Sequence, residues 1–571
     1  MESILEMARK WAAADPDPKT RAEAEALIAE GDEKTLQAHF GQRLQFGTAG
    51  IRGAMAAGPG YINRALVRQV TAGLGRYLLQ AVPSAAEKGV VIGFDGRHNS
   101  DIFAADAARV LAGMGITIRR FSAVVPTPVL AHAVTFCEAA AGIMITASHN
   151  PPADNGYKVY WTNGAQIIPP HDRGISDQID AIGGPWGVDA PELDTIRDKI
   201  VDVPDAAWDD YQRRVLSWRA LPHHGARGVY SAMHGVGWAS LNRILEATEH
   251  ETLIAVPEQR DPNGDFPTVD FPNPEEPGAL DLSMALATKE GADIILANDP
   301  DADRLAVALP APRGGWRKLT GNEIGLLLAD AMLQHGPQKG DRMVATTVVS
   351  TSMLGRLAEA HGADLTETLT GFKWIANAAI AYKGTFLVGF EEALGYSVGD
   401  VVRDKDGVSA ALHLLDLASW CKVRGTTLLQ HLESIYQKYG YAASAQKSIK
   451  MPGAEGAARI NAILKTLREN PPRQIGGLNV WRVRDALTGI ARVTATGETS
   501  TLGLPTSNVL AFDLEENCRV LARPSGTEPK VKFYFEVSMP FQEGDTLANV
   551  EARAQEKIAT LQADLLKQAG I

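Results

Sequence analysis

Cysteine is nearly absent from this 571-residue chain: Cys137, Cys421 and Cys518 are the only three, and none is spaced as a metal or redox pair. That excludes a disulfide scaffold and suits a reducing compartment. Long hydrophobic runs are missing too. No apolar stretch approaches the roughly 18–20 residues that a membrane-spanning helix needs, and the opening MESILEMARKWAAADPDPKT reads as a charged helix rather than a signal peptide. A cytoplasmic location is the expectation. Excess positive charge is the third absence, because 56 Lys and Arg face 68 Asp and Glu for a net charge of −12. Nucleic acid and anionic membrane select basic surfaces, so neither is expected as a partner. An anionic substrate would need a local cationic pocket in an acidic protein.

What remains is ordinary globular composition, 45% apolar and 22% charged, in a chain long enough for about three or four domains. No fixed-period repeat or low-complexity segment is present. After an N-terminal helical region, short apolar runs alternate with helix-type segments. The strand candidates include 89–95, 116–121 and 142–148, then 228–234, 252–256 and 293–298, then 343–349 and 385–390. This alternation predicts α/β domains with largely parallel sheets. Gly- and Pro-rich 183–194 and the segment 319–323 mark joins. A long helical region is expected from about 408 to 438. Near the C-terminus, consecutive strands at 509–514, 518–522 and 531–537 precede a helix over 547–568, an α+β pattern. The expected domains are 1–205, 206–322, 323–445 and 446–571.

Chemistry concentrates in two segments. Thr146-Ala147-Ser148-His149-Asn150-Pro151 follows an apolar strand, so Ser148 sits where a strand ends in a loop, the usual ligand edge of an open α/β sheet. Thr146 and Asn150 flank it where a hydrolase elbow needs glycines. His149 is its neighbour in sequence, and adjacent side chains usually diverge, so a simple Ser–His pair is not expected. His149 reads equally as a loop hydrogen-bonding residue or a substrate contact. Lys158 lies among apolar residues in the returning strand, where an ammonium needs a function or a partner unless the strand is an exposed edge. The second segment is Asp299-Pro300-Asp301-Ala302-Asp303-Arg304. In an extended segment residues i, i+2 and i+4 share a side, so three carboxylates would converge. An EF-hand loop fails because its sixth and twelfth positions are Arg304 and Pro310. Oxygen-only ligands favour Mg²⁺ or a similar hard ion, with a fourth position open to Ser148. Further on, Arg523-Pro524-Ser525-Gly526-Thr527 offers a guanidinium, two hydroxyls and flexible backbone, a set suited to a phosphate dianion.

These segments resemble the α-D-phosphohexomutase superfamily of phosphoglucomutases and phosphomannomutases, over nearly the whole chain from Phe46-Gly47-Thr48-Ala49-Gly50-Ile51-Arg52-Gly53 to Arg523–Pro529. Segments 270–280, 320–324, 369–374, 390–396 and 404–409 look like the branch with phosphoglucomutase-2-type enzymes, phosphopentomutase and glucose-1,6-bisphosphate synthase. The resemblance implies four domains around a central cleft. It implies a phosphorylated Ser148, one Mg²⁺ per chain on Asp299, Asp301, Asp303 and Ser148, and acid–base work by Arg52 and Lys158 with His149 beside them. Substrate contacts are implied at Arg304, Thr370, Gly371, Lys373, Glu391, Arg523, Ser525, Gly526 and Thr527. A lysine base would need a depressed pKa, which Arg52 nearby would favour. The implied reaction is a mutase interconverting α-D-glucose 1-phosphate and glucose 6-phosphate through a bisphosphate, with glucose 1,6-bisphosphate as activator. The implied partners are small sugar phosphates, and the chain is expected to be a monomer or homodimer. Ala393 stands where well-known phosphoglucomutases carry a serine, so mannose and pentose phosphates, and bisphosphate synthesis, are the alternatives. A silent sensor would have lost Ser148, an aspartate or Arg523, and none is lost.

Overall fold

Four sheets, each built from a separate stretch of chain, organise the protein. The computed structural model describes residues 3–183, 188–451, 453–524 and 530–571. Part of the expected join at 183–194 and the expected phosphate contacts Ser525, Gly526 and Thr527 lie outside the described residues.

Three helices, Ile4–Ala14, Pro18–Glu30 and Glu33–Phe40, come first. The second has Asp17 as its N-cap, Pro18 at its first turn and Gly31 in the left-handed conformation (φ 70°) at its end, the sequence signals for start and stop. Their small core centres on Trp11 and Phe40, packed edge to face at 5.8 Å.

The first sheet holds β1 (Ile51–Ala54), β2 (Val90–Phe94), β3 (Ile118–Arg120), β4 (Ala141–Ile145), β5 (Asp154–Trp161) and β6 (Ile200–Asp202) in the order β1-β5-β4-β2-β3-β6. β4, β2, β3 and β6 are parallel, and β5 runs antiparallel to both its neighbours, β4 and β1. The second sheet holds β7 (Gly228–Ser231), β8 (Ile254–Ala255), β9 (Ile294–Ala297), β10 (Ala306–Pro310) and β11 (Trp316–Lys318) in the order β11-β10-β9-β7-β8. Its parallel strands are β9, β7 and β8. In the third, β12 (Arg342–Thr347), β13 (Asp364–Thr368) and β14 (Thr385–Glu391) are parallel, and β15 (Gly395–Val398) closes one edge antiparallel. Strands such as β4 and β9 are buried at every position, which is why they read as continuous apolar runs rather than alternating ones.

The fourth sheet is antiparallel throughout. It holds β16 (Tyr441–Lys450), β17 (Gln474–Ile475), β18 (Leu478–Asp485), β19 (Ile490–Val493), β20 (Thr499–Thr501), β21 (Leu510–Leu514), β22 (Arg519–Pro524) and β23 (Lys530–Met539), with helix Leu547–Gln568 on one face. The architecture is therefore three mixed α/β domains and a C-terminal α+β domain. The helix Gly321–His335 opens the third unit through a reciprocal cap between Thr320 and Glu323. The long helical region expected at 408–438 is two helices, Gly407–Val423 and Leu428–Tyr439, because Gly425 (φ 72°) breaks the run.

Buried contacts lock the units together around one cleft. Thr127 Oγ1 donates to Asp301 Oδ2 at 2.7 Å, joining the first two units. The Leu305 amide donates to the Leu394 carbonyl at 3.0 Å, joining the second and third. Tyr160 donates to Asp404 at 2.7 Å between first and third. Thr351 Oγ1 donates to Glu536 at 2.6 Å between third and fourth. The loops after β2, β4, β9 and β14 all follow carboxyl ends of parallel strands, and those ends face the cleft.

Candidate active site

The strand β4 delivers Ser148 in a loop that turns sharply. Ser148 takes the left-handed conformation (φ 54°), which costs a residue with a Cβ about 1–2 kcal/mol. The Ser148 amide donates to Thr146 Oγ1 at 2.8 Å, helping to hold that turn. The turn has a consequence that sequence adjacency hid. His149 Nδ1 comes within 3.2 Å of Ser148 Oγ, so the two side chains converge rather than diverge. Burial, then the charges of Arg304 and Arg52, push the His149 imidazole well below its usual range, leaving it neutral. Ser148 Oγ also donates to Asp299 Oδ2 at 2.7 Å.

The three aspartates do converge, by a different route from strand alternation. β9 ends at Ala297, and Asp299–Asp303 form a turn in which Ala302 is left-handed (φ 57°) and its amide donates to the Asp299 carbonyl at 2.9 Å. One carboxylate oxygen from each lies within 4.8 Å of the other two, and all three residues are buried. Burial, with Asp301 and Asp303 beside it, raises the Asp299 carboxyl well above the carboxylate range. Burial opposes ionisation of Asp301, but the Lys158 ammonium and the bonds from Lys158 and Thr127 outweigh it and hold that carboxyl low. Asp303 is held low against burial and Asp301 by Lys158, Lys405 and Arg304. Asp301 Oδ1 and Asp303 Oδ1 are buried yet accept no hydrogen bond from the described residues. Two orphaned carboxylate oxygens beside a third carboxylate and a serine oxygen fit a hard divalent cation.

β5 lies between β1 and β4, so Lys158 is no edge residue. Its ammonium donates to Asp301 at 2.7 Å and Asp303 at 3.1 Å. Burial alone would depress its pKa, but these two carboxylates raise it, the reverse of the expected depression. Arg52, on β1, donates to Asn150 Oδ1 at 3.2 Å. The Arg304 guanidinium meets Glu275 at 3.3 Å.

Across the cleft, Glu391 at the end of β14 accepts the Gly371 amide at 2.7 Å. Burial, only partly offset by Lys405, raises its pKa. Gly371 has φ 112°, a conformation open to glycine, and half-buried Thr370 precedes it. Lys373 donates to Thr48 Oγ1 of the first unit, and burial brings its ammonium down to about 8. Arg523 pairs in register with Lys532 and hydrogen-bonds Tyr534. Burial, then Lys530 and Arg523, lower the Lys532 ammonium. The Arg523 charge acts on both Lys373 and Lys532, so the three cations make a local positive field of the kind that attracts anions in an otherwise acidic chain.

Three residues at the site were not singled out from sequence. Lys405 reaches Asp303 at 3.1 Å, Thr127 bonds Asp301, and Arg97 bonds the Ser148 carbonyl at 2.6 Å. Lys405 stands between two aspartates in 404–406, and Arg97 follows a strand end in Asp95-Gly96-Arg97, signals of the same kind as those at Ser148. Thr127 carries no such signal.

Comparison with known proteins gives this constellation its context. The models for phosphoglucomutase/phosphomannomutase alpha/beta/alpha domains I, II and III match residues 43–184, 209–314 and 320–439, and the model for the C-terminal domain matches 479–554. The phosphopentomutase of Homo sapiens is 37% identical over 557 residues, covering 93% of this chain and 91% of that protein. The glucose 1,6-bisphosphate synthase of Homo sapiens is 36% identical over 568 residues, covering 94% and 90%. A phosphoglucomutase/phosphomannomutase family protein from Burkholderia thailandensis shares the fold, with a TM-score of 0.67 at 20% identity over 93% of this chain and 98% of that one. The chain belongs to the phosphoglucomutase/phosphomannomutase family of sugar-phosphate mutases, within the α-D-phosphohexomutase superfamily.

Proposed function

We propose that this enzyme moves a phosphoryl group between two positions of a sugar through Ser148. The observation that carries the reading is Ser148 Oγ bonded at 2.7 Å to Asp299, beside two orphaned carboxylate oxygens. Phosphorylated Ser148 donates its group to a free sugar hydroxyl: the new O–P bond forms at the sugar and the old one breaks at Ser148 Oγ. The bisphosphate turns over in the cleft, and Ser148 Oγ then takes the other phosphoryl group. Asp299, Asp301, Asp303 and Ser148 would hold Mg²⁺, which when bound neutralises charge on the phosphoryl group and the serine oxygen.

Lys158 donates to both Asp301 and Asp303, and we assign it charge complementarity in this cluster. Arg52 faces the same loop through Asn150. The neutral imidazole of His149, 3.2 Å from Ser148 Oγ, passes the proton lost by the sugar hydroxyl to Ser148 Oγ on the forward leg, and on the return leg passes the Ser148 proton to the sugar oxygen that is released. Glu391, Gly371 and Thr370 read sugar hydroxyls, Arg304 stands beside the transferring phosphoryl group, and Lys373 with Arg523 holds the distant phosphate. Ser525, Gly526 and Thr527 would complete that phosphate site. Glucose 1,6-bisphosphate primes Ser148.

Lys373 binds phosphate as an ammonium, which is its form below about 8. KM is therefore expected to rise as pH climbs through about 8, and Lys373→Met to raise KM below that pH and flatten the limb. A wild-type KM that stays level through this range would contradict the assignment.

The hexose reaction, α-D-glucose 1-phosphate to glucose 6-phosphate, follows from the mechanism. A pentose 1-phosphate is favoured over it by the match to a phosphopentomutase and by Ala393, which has no hydroxyl for a hexose. Measured kcat/KM on ribose, glucose and mannose 1-phosphates is expected to favour ribose by about tenfold, the worth of one hydrogen bond. Glucose favoured by that margin would return the assignment to the hexose.

A further inference from the structure

Arg97 does more than fill a buried position. It follows β2, is 4% exposed, and gathers four backbone carbonyls of the serine loop with one guanidinium. Nη2 donates to the Ser148 carbonyl at 2.6 Å and the Asn150 carbonyl at 2.5 Å. Nη1 donates to the Pro151 carbonyl at 2.8 Å and the Asp154 carbonyl at 3.2 Å. Asp95 orients the fork: its Oδ2 lies 3.4 Å from Arg97 Nε, and its Oδ1 accepts the Arg97 amide at 3.1 Å and Ser100 Oγ at 2.8 Å. Only a planar guanidinium offers donors spread widely enough to bind several carbonyls at once.

The second unit seals this clamp. The Phe266 ring lies over the guanidinium, 4.8 Å from Cζ to the ring centroid, a cation–π arrangement. Phe266 adopts φ 46° to place it there. Gly264 allows the approach, since a Cβ there would lie 2.9 Å from the His98 amide nitrogen and 3.1 Å from the Gly96 carbonyl oxygen. Asp265 meets His98 at 2.6 Å on the rim. The loop 261–266 therefore belongs to the chain segment that also carries Asp299, Asp301 and Asp303, while the guanidinium it covers holds the loop that carries Ser148.

We propose that Arg97 is a positioning residue: it fixes the left-handed turn at Ser148, and through Phe266 it sets Ser148 Oγ in register with the aspartate loop. This rests on the reading of Ser148 as the phosphoryl carrier. It explains how a serine in an unfavourable backbone conformation is held 2.7 Å from Asp299 by groups that never touch the sugar.

The test uses purified full-length protein with Mg²⁺ and compares wild type, Arg97→Lys, Arg97→Ala, Phe266→Leu and Ser148→Ala. The readouts are melting temperature, kcat and KM separately, and the single-turnover rate of Ser148 phosphorylation by glucose 1,6-bisphosphate. Lysine keeps the charge but cannot span the carbonyls. Arg97→Lys is therefore expected to fold, to lose about 10²-fold in kcat and in the phosphorylation rate, as for a roughly 1 Å misplacement, and to keep KM within about threefold. Phe266→Leu is expected to show a smaller loss of the same kind. Added guanidinium ion is expected to restore part of the Arg97→Ala rate. The clamp is overturned if folded Arg97→Lys phosphorylates Ser148 at the wild-type rate, or if activity in the Arg97 variants falls only with the unfolded fraction and guanidinium restores nothing. Turnover surviving in Ser148→Ala would instead overturn the carrier reading on which the clamp depends.

Discussion

Ser148→Ala is expected to lower kcat by on the order of 10⁵-fold, because the substitution removes the only atom that can carry the phosphoryl group between the two half-reactions. Its effect on stability should be slight. Alanine fits the same left-handed turn with the same Cβ, so the backbone cost at φ 54° is unchanged. Asp299 loses the bond from Ser148 Oγ but keeps the one from the Arg304 amide at 3.0 Å. One hydrogen bond is worth about 1 kcal/mol, so melting should shift by only a few degrees. A variant that melts normally yet is inactive separates chemistry from fold. A variant that keeps more than a few per cent of wild-type turnover would rule out Ser148 as the carrier.

Asp301→Ala is expected to harm both activity and stability. The carboxylate accepts from Lys158 and from Thr127 across the join of the first two units. Its loss leaves the buried Lys158 ammonium with Asp303 alone at 3.1 Å. Removing one partner of a buried ion pair costs about 3–5 kcal/mol. Relief of repulsion between Asp301 and Asp303 opposes this, but Lys158 and Lys405 already neutralise Asp303, so the lower end, about 3 kcal/mol, is expected. With a carboxylate missing from the candidate metal site, kcat should fall at least about 10²-fold. Chemical denaturation checks the first part, and Mg²⁺ titration of activity checks the second. Wild-type turnover in the folded variant would remove Asp301 from the site's chemistry.

The sequence carried the site more clearly than the path of the chain that builds it. Ser148 and the three aspartates stand out because unpaired carboxylates and a polar turn after apolar strands have few structural reasons to occur together. How they meet was hidden, since residues with a Cβ seldom take the positive φ found at Ser148 and Ala302, and Arg97 holds the Ser148 turn from 51 residues away. That turn brings His149 onto Ser148 Oγ. The sign of the Lys158 shift was hidden for the same reason: Asp301 and Asp303 reach it from 143 and 145 residues away. In the fold, β4 and β9 were readable as apolar runs. β16 was not, because Ala-Ala-Ser-Ala-Gln-Lys-Ser buries few side chains and owes its place to ten residues of register against β23. β18 and β19 share this character, with exposed positions interrupting each strand, and β20 is exposed at every position.

The most direct measurement is to incubate the wild-type protein with glucose 1,6-bisphosphate labelled in its phosphates, map the label by peptide mass, and then add unlabelled sugar 1-phosphate. One label per chain is expected on the peptide containing Ser148, none in Ser148→Ala, and the label passes to the sugar in the chase. Label on another residue, or label on Ser148 that the sugar never collects, would contradict Ser148 as the carrier.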